Sequence, residues 1–309
     1  MNQRIGRTAV AALLVLGIGA CSESGGPESD NAENDNTQTH TVETAKGPVD
    51  VPEDPDRVVV LDTGELDNAL ALGVTPVGAV TTDVDSEFLG YLGDRTDGIE
   101  SVGTITEPNL EEIAALEPDV ILSSVIRHGP LYDQLSEIAP TVLSETVGYP
   151  WKQNLQLNAE ALDREQRADE LMAAYDQKAA KVDAKIDDGA VISLVRFIPG
   201  ETRLYSDKSF SGVVLDDVGA TVPPAAKGAD TFIPLSDEKL GLADGDYILT
   251  STYGAVDDTD QAEITDSGLW TGLDAVEAGR VAEVDDDLIS GIGILAADGL
   301  LDQLADAVG

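Results

Sequence analysis

The chain has little cysteine, little histidine and few basic residues. Cys21 is the only cysteine among 309 residues, so no intrachain disulfide can form. The two histidines, His40 and His128, argue against a receptor for bare zinc or manganese, which surrounds the ion with several histidine and carboxylate ligands. Basic residues number 18 against 59 acidic ones. The net charge of −41 excludes nucleic acid as a partner and argues against electrostatic attachment to an anionic membrane.

The sequence also lacks the usual signature of a serine hydrolase. No G-x-S-x-G nucleophile elbow occurs in it. A Ser-His-Asp triad in the folded part would have to use His128. A secreted hydrolase therefore stays a remote alternative, and an assay against ester and peptide substrates tests it.

The N-terminal 20 residues predict a signal peptide. Arg4 and Arg7 form a charged n-region, and the apolar run from Thr8 to Ala20 is too short to span a bilayer. The run Ile18-Gly19-Ala20-Cys21 resembles a bacterial lipobox, which predicts that Cys21 is lipidated. Residues 21–45 contain almost nothing apolar and are predicted to be a lipidated, disordered tether. The protein is then expected outside the cytoplasm, anchored to the outer face of the cytoplasmic membrane.

Strands and helices alternate in two parts of the remaining chain. Residues 46–150 predict an N-terminal α/β lobe and residues 190–309 a C-terminal one, each with a parallel sheet. Residues 151–189 predict connecting helices. One of them is long: an apolar stripe runs between a capping Asp163 and a terminating Gly189. The predicted fold is α/β, with two Rossmann-like lobes joined by one long α-helix.

An internal repeat supports two related lobes. The segment from Asn109 to Ile113, followed by Asp119 to Leu122, aligns without a gap on Ser236 to Leu240, followed by Asp246 to Leu249. The two segments share, at equivalent positions, a helix-capping residue, a glutamate, an apolar residue, an aspartate and an Ile-Leu pair.

These segments resemble the siderophore and cobalamin substrate-binding proteins of ABC importers, over residues 46–309. The likeness rests on Arg57–Leu61, Ala71–Gly78, Pro108–Ile121, Val195–Phe197, Ser209–Phe210, Val214–Leu215, Gly279–Val281 and Gly293–Ala297. It implies a monomeric binding protein, not an enzyme, with no cofactor. This protein would capture a ferric siderophore between its lobes and deliver it to a permease. Haem, cobalamin and ferric citrate stay open as ligands, with Tyr205, Tyr253 or His128 able to reach a haem iron.

A ferric siderophore encloses its iron, so the cleft needs aromatic walls and cationic donors rather than metal ligands. Arg196 ends the first strand of the second lobe, where ligands sit in open α/β sheets, and the resemblance implies an arginine there. The full set of candidate ligand-binding residues is Arg127, Trp151, Arg196, Arg203, Tyr205, Tyr253 and Trp270. The overall acidity favours a neutral or cationic ferric hydroxamate over an anionic catecholate.

Two glutamates are candidates for docking to the permease. Glu111 and Glu238 occupy the same place in the two repeats, in the first turn after the cap. They match the docking glutamates that the resembled receptors carry, one in each lobe. Alternatively, both only stabilise their own helices through the helix dipole.

Overall fold

The computed structural model describes residues 38–84 and 86–309; the predicted signal peptide, Cys21 and most of the predicted tether lie outside them. The strands are β1 (Thr39–Thr44), β2 (Gly47–Pro52), β3 (Val58–Val60), β4 (Gly78–Thr81), β5 (Glu100–Thr104), β6 (Val120–Ser124), β7 (Thr141–Ser144), β8 (Ile192–Ile198), β9 (Glu201–Tyr205), β10 (Phe232–Leu235), β11 (Tyr247–Thr252) and β12 (Val281–Glu283). The α-helices are α1 (Thr63–Ala71), α2 (Leu110–Ala115), α3 (Val125–His128), α4 (Tyr132–Ser136), α5 (Trp151–Ala161), α6 (Glu165–Asp183), α7 (Phe210–Asp217), α8 (Gln261–Asp266), α9 (Asp274–Glu277), α10 (Asp286–Gly291) and α11 (Ile294–Ala307). Within this part of the chain no helix is long and apolar enough to cross a membrane.

The first sheet is parallel, as the sequence predicts. Its five strands lie in the order β5-β4-β3-β6-β7. The central strands β3 and β6 are buried along their whole length. Continuous apolar strands of this kind are typical of a parallel sheet covered on both faces by helices.

The second sheet is mixed and not fully parallel. Its order is β10-β9-β8-β11-β12, with β8, β11 and β12 parallel and β9 antiparallel to both β8 and β10. Only Pro199 and Gly200 separate β8 from β9, and Gly200 has a φ of 77°. A two-residue loop can only reverse the chain into an antiparallel hairpin, because a parallel pair needs a long crossover.

The internal repeat has a structural counterpart. Asp119 Oδ2 accepts a hydrogen bond from Arg57 N at 2.8 Å, just before β3, and β6 then pairs with β3 in parallel. Asp246 Oδ2 accepts one from Val191 N at 2.8 Å, just before β8, and β11 pairs with β8 in parallel. Each repeated aspartate therefore fixes the start of the neighbouring central strand.

Helix α6 has 19 residues and is shorter than the predicted rod. It spans about 28 Å at 1.5 Å per residue. Asp163 precedes the helix at a φ of 57° and does not cap it. The helix ends six residues before Gly189, where Lys185 N and Ile186 N turn back to the carbonyls of Val182 and Asp183. The predicted stripe is confirmed: Ala168, Tyr175, Ala179 and Val182 are buried.

Helix α6 contacts both halves of the molecule. Near its start, Arg167 Nε donates to Ala71 O of α1 at 3.4 Å. Further along, Lys178 Nζ lies 2.7 Å from Asp298 Oδ2 of α11, and Tyr175 OH donates to Asp217 Oδ2 of α7 at 2.8 Å. The helix is thus a strut packed against elements of both lobes.

A hairpin replaces the end of the predicted tether. Strands β1 and β2 pair in antiparallel register, and Gly47 turns the chain between them at a φ of 103°. Val42 is fully buried, and His40 Nε2 lies 2.7 Å from Glu160 O of α5. The expectation of disorder up to residue 45 is therefore wrong for residues 39–45. The segment is too polar for its sequence to indicate a strand.

A hydrogen-bonded seam joins α1 to the end of α10 and the start of α11. Asp67 of α1 accepts bonds from Leu295 N and Ala296 N, both at 2.8 Å, in the first turn of α11. Tyr91 OH donates to the same carboxylate at 2.6 Å. Thr63 Oγ1 donates to Ser290 O at 2.6 Å. We call these contacts the α1–α11 seam; it links the two lobes in addition to the strut.

Candidate functional site

A cavity of about 450 Å³ lies where the carboxyl ends of the two sheets meet. Each of the five strands of the first sheet is followed by a loop or a helix start that contributes residues to the cavity. These residues are Thr63, Thr82, Asp83, Ile105, Ile126, Arg127, Val147 and Gly148. This is the place where open α/β sheets bind ligands, because the connecting loops leave a crevice there.

The second sheet closes the cavity from the other side. The wall comes from β8, β9, the start of β10, the loop after β11, the start of α7 and the end of α10 with the residues just after it. It comprises Arg196, Ile198, Arg203, Tyr205, Phe210, Ser211, Thr231, Phe232, Tyr253, Ile289, Ser290 and Ile292. Five of the seven predicted ligand-binding residues, Arg127, Arg196, Arg203, Tyr205 and Tyr253, are thereby brought together.

Arg127 is held at the cavity wall by one ion pair. Its Nε donates to Asp62 Oδ2 at 2.9 Å, and the Asp62 side chain is fully buried. The negative charge of Asp62 raises the pKa of Arg127 above its ordinary value. The arginine side chain itself is 38% exposed. The pair fixes the guanidinium while leaving its outer end accessible.

Arg203 is held in a similar way from the opposite wall. Its Nε donates to Glu201 Oε2 at 2.6 Å, and its guanidinium carbon lies 4.0 Å from the ring centre of Phe232. Glu201, Arg203 and Tyr205 alternate along β9, so their side chains share one face of the strand. Neither Arg203 nor Arg127 donates from its Nη groups to any residue in the described part of the chain.

Arg196 sits opposite Arg203 in the register of β8 and β9. Like charges that face each other across strands repel, so both arginines need acidic partners. Asp286 supplies that partner to Arg196: Nε lies 2.7 Å from Oδ1, and the Nη2 group bonds Oδ2. Ser290 Oγ accepts from the Nη2 group at 2.6 Å and Tyr205 OH lies 3.1 Å from Nη1.

These contacts use most of the hydrogen-bonding capacity of Arg196. The residue is only 9% exposed. Burial opposes its charge, but the hydrogen bond and charge of Asp286 outweigh this and raise its pKa. Its guanidinium also stacks on Tyr253, 4.8 Å from the ring centre. Arg196 is therefore a structural part of the cavity floor, with little left to offer a ligand.

Arginines outnumber carboxylates among the residues that line the cavity. Three arginines and one carboxylate, Asp83, line it. The free donors belong to Arg127 and Arg203, one from each lobe. Guanidinium groups of this kind bind carboxylate or other anionic oxygens through charge-assisted hydrogen bonds.

The two tryptophans do not line this cavity. Trp151 is fully buried and makes edge contacts with Tyr175 at 5.1 Å and Phe210 at 6.0 Å between ring centres. Trp270 is 4% exposed and packs 6.3 Å from Phe197. Both serve as core aromatics. A large apolar ring next to a helix start carries no sequence signal that separates these two roles.

His128 is also turned away from the cavity. Its Nδ1 lies 2.7 Å from Ser123 Oγ and its Nε2 2.8 Å from Ile105 O, so both ring nitrogens are occupied. The residue is 2% exposed, and burial lowers its pKa. This arrangement fits neither a general base open to substrate nor a ligand to haem iron. The described residues contain no group of three or more His, Cys, Asp or Glu able to hold a metal ion.

Two buried acids behind Arg127 carry no sequence signal of their own. Asp62 ends the run Val58 to Leu61 and is fully buried. Glu65 lies one turn into α1, is 1% exposed, and its Oε2 has no hydrogen-bond partner. Burial first, and then the charge of Asp62, raise the pKa of Glu65 to about 8. One guanidinium thus faces two carboxyl groups.

A second, larger cavity of about 730 Å³ adjoins the first and shares Thr82 and Tyr253 with it. Its wall is acidic, with Glu87, Glu283, Asp285, Asp286 and Asp287. Asp286 already pairs with Arg196, and Asp285 accepts from Asp287 N at 3.1 Å at the start of α10. The acidic wall disfavours an anionic ligand in this second cavity.

The predicted docking glutamates are both exposed. Glu111 lies in the first turn of α2, whose cap Asn109 accepts from Glu111 N at 3.1 Å. Glu238 lies in the first turn of a 3-10 helix, Asp237–Ala243, rather than in an α-helix. Neither lines a cavity described above.

Comparison with known proteins agrees with this architecture. The model of the periplasmic binding protein family matches residues 58–288. The chain belongs to this family. The match covers both sheets, the strut and the cleft between them, so the predicted fold of two α/β lobes joined by a long helix is confirmed.

Three similar proteins show how far the likeness extends. The probable siderophore-binding lipoprotein YfiY of Bacillus subtilis (strain 168) is 37% identical over 98% of this chain and 98% of its own. The Fe(3+)-citrate-binding protein YfmC of the same organism is 28% identical over 93% of this chain and 90% of its own. The structure of Staphylococcus aureus SirA complexed with staphyloferrin B is 31% identical, with a TM-score of 0.79, over 87% of this chain and 98% of SirA.

Proposed function

We propose that this protein is an extracytoplasmic binding protein that captures a ferric siderophore in the arginine-lined cavity and delivers it to an ABC importer. The observation that carries the proposal is the pair of accessible guanidiniums, Arg127 and Arg203, facing one cavity from two lobes. The family and the names of YfiY, YfmC and SirA support iron chelates as the ligand class. No catalytic step is proposed.

The charge of the cavity narrows the ligand to an anionic chelate. The preference for a neutral or cationic hydroxamate followed from the net charge of the whole chain. At the site, Arg127 and Arg203 each keep guanidinium donors that no described residue accepts, and such donors act on a ligand at contact distance, whereas distant surface charges are screened. We infer that a carboxylate-rich ferric chelate fits better, because its outer oxygens can accept from Arg127 and Arg203. Ferric citrate belongs to this chemical class.

The ligand that the protein carries from its own cells tests the proposal. Protein purified from iron-starved cells is expected to contain iron, with the charge-transfer colour of a ferric chelate and a small anionic compound released on denaturation. Mass spectrometry of that compound identifies it. A Soret band would instead indicate haem, and the red spectrum of a corrinoid would indicate cobalamin. Either result would overturn the proposal.

Attachment to the membrane through lipidated Cys21 is part of the same proposal. Cys21 lies outside the described residues, and the lipobox-like run before it carries the inference. YfiY is named a lipoprotein, which supports it. Metabolic labelling with a fatty acid is expected to mark the wild type and not Cys21→Ala. The single-chain cleft supports a monomer.

Docking to the permease is proposed to use Glu111 and Glu238. Both are exposed and lie in first helical turns, where the helix N-terminus favours a carboxylate. The variant Glu111→Ala with Glu238→Ala is expected to keep its affinity for the chelate and to lose iron uptake and stimulation of the transporter ATPase. A matched variant, Glu112→Ala with Asp237→Ala, alters neighbouring exposed acids and should retain uptake. Normal uptake by the Glu111 and Glu238 variant, at normal protein levels, would rule out this role.

A further inference from the structure

Glu65 is a buried acid next to the cavity that no contact of the fold requires to be charged. It lies on α1, is 1% exposed, and its Oε2 accepts no hydrogen bond. A carboxylate in such a place is costly, because burial removes water and Oε2 has no donor, and the backbone N–H of Glu65 and the charge of Arg127 only partly offset this cost. Protonation removes that cost.

The acids behind the cavity wall outnumber the cations there. Asp62 is fully buried and accepts a hydrogen bond from Nε of Arg127. Glu65 makes no hydrogen bond to this guanidinium. With Glu65 protonated the three groups sum to zero charge, and with Glu65 ionised they sum to −1. The state of Glu65 therefore decides how strongly Arg127 attracts an anion in the cavity.

The other charged groups near α1 are committed elsewhere. Asp62 and Arg127 are the groups whose charges act on Glu65. Asp67, on α1 itself, binds the first turn of α11. Helices α5, α10 and α11 also pack against α1. Of their charged side chains, Lys152 pairs with Asp217, Asp286 with Arg196, and Asp298 and Asp302 with Lys178, while Asp287 accepts from Gly90 N. Neither these groups nor Glu160 and Asp306 are among the charges that act on Glu65.

We propose that Glu65 holds a proton while the cavity binds its anionic ligand, and that losing this proton weakens binding through Arg127. The inference rests on the proposed function. Glu65 is a positioning residue, since it lines neither cavity and acts only through the charge balance behind Arg127. Binding of an anion at Arg127 and protonation of Glu65 favour each other.

The expected pH dependence follows from this coupling. Burial and the charge of Asp62 put the pKa of Glu65 at about 8. If only the protonated form binds, the competent fraction falls from about 0.9 at pH 7 to about 0.1 at pH 9, and the apparent Kd rises about tenfold. A glutamine cannot lose a proton and mimics the neutral acid in shape.

The test is a titration of the full protein with iron-loaded staphyloferrin B and with ferric citrate at pH 7 and pH 9. The wild type is expected to lose about tenfold in affinity, and Glu65→Gln to change less than about twofold. Glu112→Gln, which removes an exposed acid, should behave as the wild type. Because all three proteins meet the same ligand, titration of the chelate itself cancels. Parallel curves for wild type and Glu65→Gln would overturn the inference.

A second measurement needs no ligand. At pH 7 the infrared spectrum of the wild type should show the carbonyl stretch of a protonated carboxylic acid, which disappears with a midpoint near pH 8. The band should be missing in Glu65→Gln. If the wild type bound neither chelate, the proposed function would fail. The infrared band would still decide whether Glu65 holds the proton, and its absence at pH 7 would overturn the inference.

Discussion

Arg196 and Arg203 lie opposite each other on neighbouring strands, but their guanidinium groups have different roles. Arg196 is bound on four sides, by Asp286, Ser290, Tyr205 and the ring of Tyr253. Arg203 donates one hydrogen bond, from Nε to Glu201, and its Nη groups donate to no residue in the described part of the chain. The fold thus uses one arginine to build the cavity and the other to face into it.

This division predicts different effects of the two alanine variants. Arg196→Ala leaves Asp286 nearly buried without its cation, and breaking such a pair costs about 3–5 kcal/mol of stability. Arg203→Ala removes a 27% exposed side chain, should change stability by less than about 1 kcal/mol and should weaken chelate binding about 10- to 100-fold. Urea unfolding and fluorescence titration measure the two effects. Equal loss of stability in both variants would contradict the division.

Single residues were predictable where a strand end gives them a position. Arg127 and Tyr253 follow buried strands and Arg196 lies in the second half of β8, so the topology of parallel sheets places them at one edge. The roles of Trp151 and Trp270 could not be predicted, because the sequence around an aromatic residue in the core does not differ from the sequence around one that lines a cleft. Asp62 and Asp286 were missed, since acidic residues are too common in this chain to stand out.

Helix α11 depends on a carboxylate from another element. Asp67 of α1 accepts from two backbone N–H groups of its first turn and from Tyr91. No side chain of α11's own N-cap, Gly293, can do this. A Cβ at Gly293 would lie 2.5 Å from the Asp67 carboxyl carbon, which explains a glycine there.

The Asp67 carboxylate makes stability depend on pH in a defined direction. Burial raises its pKa from 3.8 to about 6, although the bonds from Tyr91 and α11 oppose the rise. The folded state therefore binds this proton more tightly than the unfolded state. The stabilising contribution is complete below about pH 3.8 and is lost as the pH rises through about 6.

Asp67→Asn keeps an acceptor but removes the titration. The difference in free energy of unfolding between wild type and variant should shift against the wild type by about 3 kcal/mol from pH 3.5 to pH 7. Asp169→Asn, on the exposed face of α6, should show no such shift. A difference that stays constant over this range would mean that Asp67 does not titrate in the folded protein.

Elements with a strong apolar period were predicted well, and polar ones were not. The alternation of strands and helices, the first parallel sheet and the buried stripe of α6 follow from apolar runs in the sequence. The β1–β2 hairpin was missed because a two-stranded ribbon that buries mainly Val42 and Val51 needs few apolar residues. Strands β9 and β10 were missed for a similar reason, since polar side chains of β9 face the cavity.

At the scale of the whole molecule, the strut and the α1–α11 seam hold the lobes at two separate places. Helix α6 bonds to α1, α7 and α11, and the seam adds buried hydrogen bonds across the cleft floor. No flexible pair of hinge strands links the lobes within the described residues. Large closure of the kind seen in hinged receptors would have to break these contacts.

Small closure is therefore expected in solution. The radius of gyration from X-ray scattering should change little when a ferric chelate is added at saturation. Asp67→Ala, which breaks the seam, should show a larger change than Asp169→Ala. A marked contraction of the wild type on binding would contradict the strut.

The central claim is that two arginines from opposite lobes capture an anionic iron chelate. It is tested by titrating the wild type and the variant Arg127→Ala with Arg203→Ala against ferric citrate, iron-loaded staphyloferrin B and a neutral ferric hydroxamate. The wild type should prefer the anionic chelates. The double variant should bind them at least about 100-fold more weakly, as expected for two lost charge-assisted contacts. Because Arg127→Ala leaves the buried Asp62 without its cation, circular dichroism must show that the double variant is folded, and Arg203→Ala alone, which leaves no buried carboxylate unpaired, should already bind the anionic chelates about 10- to 100-fold more weakly. Preference of the wild type for the hydroxamate, or equal binding by the double variant, would contradict the claim.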